Sequence, residues 1–169
     1  MLVCLYRGRS ATSRLIRWFT RGVYSHASCL DPETGSEFES WKGGVTFERE
    51  LGEGHLERTP IDLFAVENLS AEQAAKVREF LESKLGTPYD FRGIFQFLTR
   101  RVQARPELRF FCSELVFAAF EEAKAPLLLR CQPFVVHPTL LSYSPRLTYL
   151  GTVLSGKGMC WRHLLGRAA

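Results

Sequence analysis

The stretch Tyr24–Trp41, YSHASCLDPETGSEFESW, decides the fold. Its two runs, Tyr24–Leu30 and Ser36–Trp41, flank DPETG at 31–35, where Asp, Pro and Gly supply turn chemistry, so a β-hairpin is predicted. With a five-residue turn and regular pairing, His26 stands opposite Ser40. Glu39 and Glu37 then share the other face unless a bulge shifts the register. Working outward, Gly43 and Gly44 break the second strand, and a further strand follows at Val45–Glu48. Upstream, LVCLY at 2–6 reads as a short buried strand. Ser10 caps a helix to about Arg21 whose apolar residues are Leu15, Ile16, Trp18 and Phe19.

Downstream, a strand is expected near Ile61–Val66, and then the hydrophobic period becomes helical. Ser70 with Gln73 forms a capping-box pattern, Ala74, Val77, Leu81 and Leu85 recur at helical spacing, and Gly86 with Pro88 marks the stop. Asp90 can cap a second helix with Phe91, Ile94, Leu98 and Val102 on one face, limited by Pro106. A third begins at Cys112, with Leu115, Val116, Ala119, Phe120 and Ala123 as its apolar stripe, and ends before Pro126. A closing strand is predicted at about Leu147–Val153. This order predicts an α+β domain, helices packed on an antiparallel sheet, and not an alternating parallel one.

The chain has 169 residues and is 46% hydrophobic, enough for one core, and no linker, repeat or biased segment divides it, so residues 1–169 are expected to form a single domain. Five cysteines at irregular spacing argue for reduced thiols. The N-terminus MLVCLYRGRS reaches arginine too soon for a secretory segment, and no apolar run approaches bilayer length, so a cytoplasmic protein without a transmembrane segment is expected.

The net charge of +4 conceals an asymmetry. Arg7, Arg9, Arg14, Arg17 and Arg21 precede any acid, whereas residues 31–72 hold 11 acids against 3 bases. The N-terminal helix therefore presents either a solvated basic face or a site for an anionic ligand. Nucleic acid is not the expected partner: Arg100, Arg101 and Arg105 have no recognition motif beside them, and Tyr24, Trp41 and Phe47 read as core or rim. Cys131, His137, Cys160 and His163 lack the tight spacing of a structural zinc site.

Two residues have the chemistry of a nucleophile and its base. Cys112, in RFFCSELVFAAF at 109–120, stands where the helical pattern begins, so its sulfur meets the positive end of the helix dipole beside unpaired backbone N–H groups. His26 sits between the small residues Ser25 and Ala27, which leave room for a thiol to approach the ring. Taken singly, each reads first as a core residue. A carboxylate on the next strand could fix the imidazole tautomer, with Glu39 the first candidate and Glu37 the alternative.

The stretches LGTPYDF at 85–91 and CSELV at 112–116 resemble the elements around the nucleophile of NlpC-type papain-like peptidases. Here the histidine strand, YSHAS with FES at 38–40, precedes the cysteine, which is similar to the circularly permuted branch. LYRGRS at 5–10, SHAS at 25–28 and GGV at 43–45 resemble its bacterial YiiX-like members and, more distantly, the lecithin:retinol acyltransferase group. The resemblance spans roughly residues 5–140 as scattered motifs. It implies a permuted papain-like fold, an antiparallel sheet or half-barrel against helices. It further implies Cys112 as nucleophile, His26 as general base and Glu39 as orienting residue, where family members often have histidine. Tyr89 and Ser113 are then candidates for the oxyanion and substrate site.

The expected activity is thus a cysteine hydrolase that cleaves an amide, peptide or ester bond through a Cys112 thioester, with no metal or organic cofactor required. Two alternatives use the same residues or cleft: acyl transfer to a lipid or amine, and a catalytically silent module that binds a peptide or lipid-like ligand. Neither substrate identity nor oligomeric state is encoded in a motif.

Overall fold

The computed structural model describes residues 1–41, 43–89, 110–156 and 159–167, with the side chains of Phe134 and Arg167 excepted. In chain order the main elements are β1 (Leu2–Tyr6), α1 (Ala11–Thr20), β2 (His26–Leu30), β3 (Glu37–Trp41), β4 (Gly44–Glu48), β5 (Pro60–Val66), α2 (Ala71–Ser83), α3 (Cys112–Glu122) and β6 (Leu147–Leu154). A short helix, Pro138–Leu141, precedes β6. The helix expected from Asp90 through Val102 and the basic segment at 100–105 lie outside the described residues.

The strands form one six-stranded sheet in the order β4-β3-β2-β1-β5-β6, every neighbouring pair antiparallel. This is the α+β architecture expected. Local chemistry explains the helix starts. Ser10 accepts a hydrogen bond from the Ser13 amide, and Ser70 and Gln73 complete a reciprocal capping box at α2.

The hairpin differs from expectation by one residue of turn. The Asp31 amide donates to the Ser36 carbonyl at 2.9 Å, so Asp31 belongs to the pairing and only residues 32–35 lie beyond it. Ser28 therefore faces Glu39 and Leu30 faces Glu37. Since side chains alternate across a strand, that single step moves both carboxylates to the face that carries His26, without a bulge.

Each face of the sheet is covered. Val3, Leu5, Ala27, Cys29, Phe38 and Val45 form one core with Val77 and Leu81 of α2 and Leu115–Phe120 of α3. Leu2, Cys4, Tyr6, Leu30, Ile61 and Leu63 pack on the other side against Leu51, Trp161 and Leu164. Burying each large side chain contributes about 1.5–3 kcal/mol, so these contacts fix α3, and Cys112 with it, relative to the strands. Gly44 permits another close approach: its φ is +111° and a Cβ there would stand 2.4 Å from the Thr87 carbonyl oxygen. The bonds Val45 N to Thr87 O and Gly86 N to Val45 O join β4 to the segment that carries Tyr89.

Candidate active site

His26 is the first residue of β2, and its partner on β1 is Tyr6. The β2–β3 register ends at Ser28–Glu39, one pair short of Ala27, while β1–β2 continues to His26. At this end Ser40 donates to the carbonyl of Phe110 at 2.7 Å, tying β3 to the approach to α3. Cys112 then opens the helix.

Glu39 sits diagonally across the hairpin from His26 and meets its Nε2 at 2.6 Å, with both side chains nearly fully buried. Nδ1 makes no regular hydrogen bond. Burial alone would lower the imidazole pKa. The charge of Cys112, that of Glu39 and hydrogen bonding to both outweigh it and raise the value to about 10. Glu39 is the reciprocal case. Burial would raise its carboxyl, but the charge of His26 and the bonds from His26 and His55 hold it down to about 2.

His55 has no counterpart in the sequence reading. It lies on the connection between β4 and β5, and its Nε2 is 3.0 Å from the same Glu39 oxygen. Glu37 explains how the loop is held: it accepts the Gly52 amide at 2.7 Å and the Tyr6 hydroxyl. Burial and the nearby charge of Glu39 push the Glu37 carboxyl up to about 7. The two carboxylates thus have separate tasks, Glu37 anchoring the loop and Glu39 meeting both imidazoles. Aromatic rings enclose the group, with Tyr6 stacked on His55 at 4.5 Å and Trp41 edge-on to His26 at 4.8 Å between centroids. No local period marks His55; a GEGH segment rich in turn residues carries only a loop signal.

At the start of α3, Phe111 occupies the N-cap without a side-chain cap bond. The first-turn amides of a helix have no acceptor within it, and a phenyl ring supplies none, so these donors suit a developing oxyanion at Cys112. The Ser113 hydroxyl is buried and donates to the carbonyl of Val136 at 2.7 Å, which ties the first turn of α3 to the segment before the short helix. Any part it has in an oxyanion site belongs to its backbone N–H.

Tyr89, bridged to Phe110, lines a cleft with Phe111, Cys112, Ser25, His137 and Pro138, closed on the far side by Thr12, Leu15, Ile16, Phe19 and Thr20. Its walls are almost wholly apolar. The Cys131, His137, Cys160 and His163 set does not assemble. Among the described residues, the ligand-type cluster is His26, Glu39 and His55, and His137 caps the short helix through Leu140.

Among the described residues no helix is long and apolar enough to cross a membrane. Neither a protein-family model nor a curated protein matches the chain. Its structure is similar to that of metalloprotein yiiX from Escherichia coli O157:H7, with a TM-score of 0.69 and 22% identity over 89% of this chain and 94% of that one. The chain therefore has the YiiX-like α+β fold.

Proposed function

We propose that the chain is a cysteine hydrolase acting on an amide or ester carbonyl. The observation that carries the reading is the setting of His26, whose Nε2 is held by Glu39 at 2.6 Å and whose imidazole, despite burial, feels the charge of Cys112 strongly enough to be pushed up to about 10. With its pKa raised to about 10, His26 already holds the proton in the resting Cys112–His26 pair, and sulfur attacks the carbonyl carbon while first-turn amides of α3 hold the oxyanion. The acyl C–N or C–O bond then breaks, and the leaving group takes the proton from His26. Water, deprotonated by the same imidazole, cleaves the thioester, which restores the resting pair. Glu39 keeps the ring oriented throughout, a positioning role that the short buried bond suits.

Site-resolved iodoacetamide labelling at neutral pH tests the pair, with exposed Cys160 as an internal reference. Cys112 of the native chain is expected to label faster than Cys160, and His26→Ala to slow Cys112 at least tenfold while leaving Cys160 unchanged. Equal labelling of Cys112 with and without His26 would refute the assignment.

A second reading is favoured by the three ligand atoms of His26, Glu39 and His55, which all lie within 4.8 Å of one another, and by the metalloprotein of the same fold. Two imidazoles and a carboxylate are a set that zinc accepts, and a bound zinc would supply Lewis acidity there. Ligand atoms around a tetrahedral zinc stand about 3.3 Å apart, given bonds of about 2.0–2.1 Å. The separations here, 2.6 and 3.0 Å, are those of hydrogen bonds, so the side chains would have to spread. Stoichiometric zinc uptake that His55→Ala abolishes, with Cys112 labelling unaffected by His26→Ala, would establish this reading over the hydrolase.

A further inference from the structure

His137 stands immediately before Pro138 in VVHPTLL at 135–141. A proline disfavours the helical region for the residue before it. His137 is accordingly extended, with φ −92° and ψ 161°, and becomes the N-cap of the short helix Pro138–Leu141. Its Nδ1 accepts the Leu140 amide at 3.2 Å. Serine, threonine, asparagine or aspartate would fill that role at least as well, since a cap needs only an acceptor atom. Histidine brings a second nitrogen. A ring nitrogen that accepts from an amide carries no hydrogen, so in the neutral imidazole the proton is on Nε2. Burial favours that neutral ring by lowering its pKa. Nε2–H is thus a donor of fixed tautomer, and among the described residues no hydrogen bond takes it up.

The segment is held from two sides. Ser113, next to Cys112 in the chain, donates to the Val136 carbonyl at 2.7 Å. Thr139 accepts the amide of Tyr24, just before β2, at 3.0 Å, and lies so close to Gly22 that a Cβ there would stand 2.1 Å from its Oγ1. His137 is therefore pinned both to the helix of the thiol and to the approach to the imidazole strand. It shares a cleft with Cys112 whose walls are almost wholly apolar. In such surroundings one placed donor decides how a polar ligand lies, because an acceptor that loses water there has few other partners. We infer that His137 is a specificity-determining residue that donates from Nε2–H to an uncharged carbonyl oxygen of the substrate other than the one attacked. The first-turn amides of α3 already serve the attacked oxygen, and a neutral ring offers a hydrogen bond without the charge that would select a carboxylate or phosphate. The donor stands on the cap geometry; the substrate contact rests on the hydrolase reading.

Two measurements test the inference. Long-range proton–nitrogen correlation spectra of the full chain at neutral pH are expected to show His137 neutral with its proton on Nε2. A proton on Nδ1, or on both nitrogens, would overturn the donor. Ester kinetics then test the contact, comparing p-nitrophenyl N-acetylglycinate, which carries a second carbonyl, with p-nitrophenyl isocaproate, which replaces that amide by hydrocarbon. His137→Ser keeps an acceptor for the Leu140 amide and removes the ring. Thermal melts are expected to match the native chain, while the ratio of kcat/KM for acetylglycinate over isocaproate falls at least tenfold. A loss of cap alone would lower both esters together and leave the ratio unmoved. An unchanged ratio with both esters cleaved would overturn the contact and leave the hydrolase in place. Cleavage of neither ester by the native chain, with Cys112 labelling independent of His26, would remove the hydrolase and the contact with it, and the spectrum would still decide the tautomer.

Discussion

The two faces of the sheet bury different chemistry. On the side of α2 and α3 the strands contribute Val3, Leu5, Ala27, Cys29 and Phe38, and the contacts are apolar throughout. On the other side, at the end of β2 and β3, the buried residues are Tyr6, His26, Ser28, Glu37 and Glu39, with His55 from a loop. The first arrangement gains free energy from every side chain added. The second spends much of its interaction energy replacing lost hydration, as buried charges do. The apolar face holds α3 and its thiol in place, and the polar pocket on the other face holds the imidazole and its carboxylates.

Cutting each face separates the two contributions. The largest loss of stability is expected on the apolar side. Phe120→Ala removes a fully buried ring and should cost about 3–5 kcal/mol in urea unfolding, with Cys112 labelling retained in the molecules that remain folded. Glu39→Gln keeps the volume but weakens a charge-assisted bond, so the stability cost is about 1–3 kcal/mol, while Cys112 labelling falls by more than tenfold. A labelling rate unchanged in Glu39→Gln would dissolve the contrast between the faces.

The polar face also makes stability depend on pH. His26 holds its proton up to about 10 in the folded chain against an ordinary 6.5, so its contribution is complete below 6.5 and lost as pH rises toward 10. Glu39 runs the other way. Its contribution is complete above the ordinary 4.5 and lost as pH falls toward 2. Glu37, raised to about 7, favours the folded state most below 4.5, and this preference is lost as pH climbs through 7. Thermal melts should therefore peak near pH 4.5–6 and decline toward alkaline pH, and His26→Ala should flatten the upper decline. The smallest effect is expected far from the site, where Ser70→Ala removes half of a capping box and costs about 1 kcal/mol, or about 2–4 °C in Tm.

What could be read in advance follows from how local each signal is. Ser10 and Ser70 announce helix starts because a capping bond reaches only three residues. Cys112 at the start of α3 was legible for a similar reason, the apolar stripe beginning at the thiol. Hairpin register was not, because Asp31 suits both a turn and a pairing position, and the Asp31–Ser36 bond decides between them. His55 was illegible altogether. Its place beside Glu39 depends on Glu37 catching Gly52 and on Tyr6 offering a ring to stack upon, tertiary contacts with no sequence period. The bond from Ser113 to Val136 was not legible either, because its acceptor lies 23 residues further along the chain and meets it only in the folded structure.

The hairpin that joins His26 to Glu39 also has a temporal meaning. Both residues lie within one short loop, which closes at small entropic cost, whereas Cys112 joins them across a long span of chain. During synthesis from the N-terminus the imidazole and its carboxylate are both made before the thiol. On the proposed hydrolase reading the nucleophile is the last member to be made, and its helix docks onto a hairpin already synthesised.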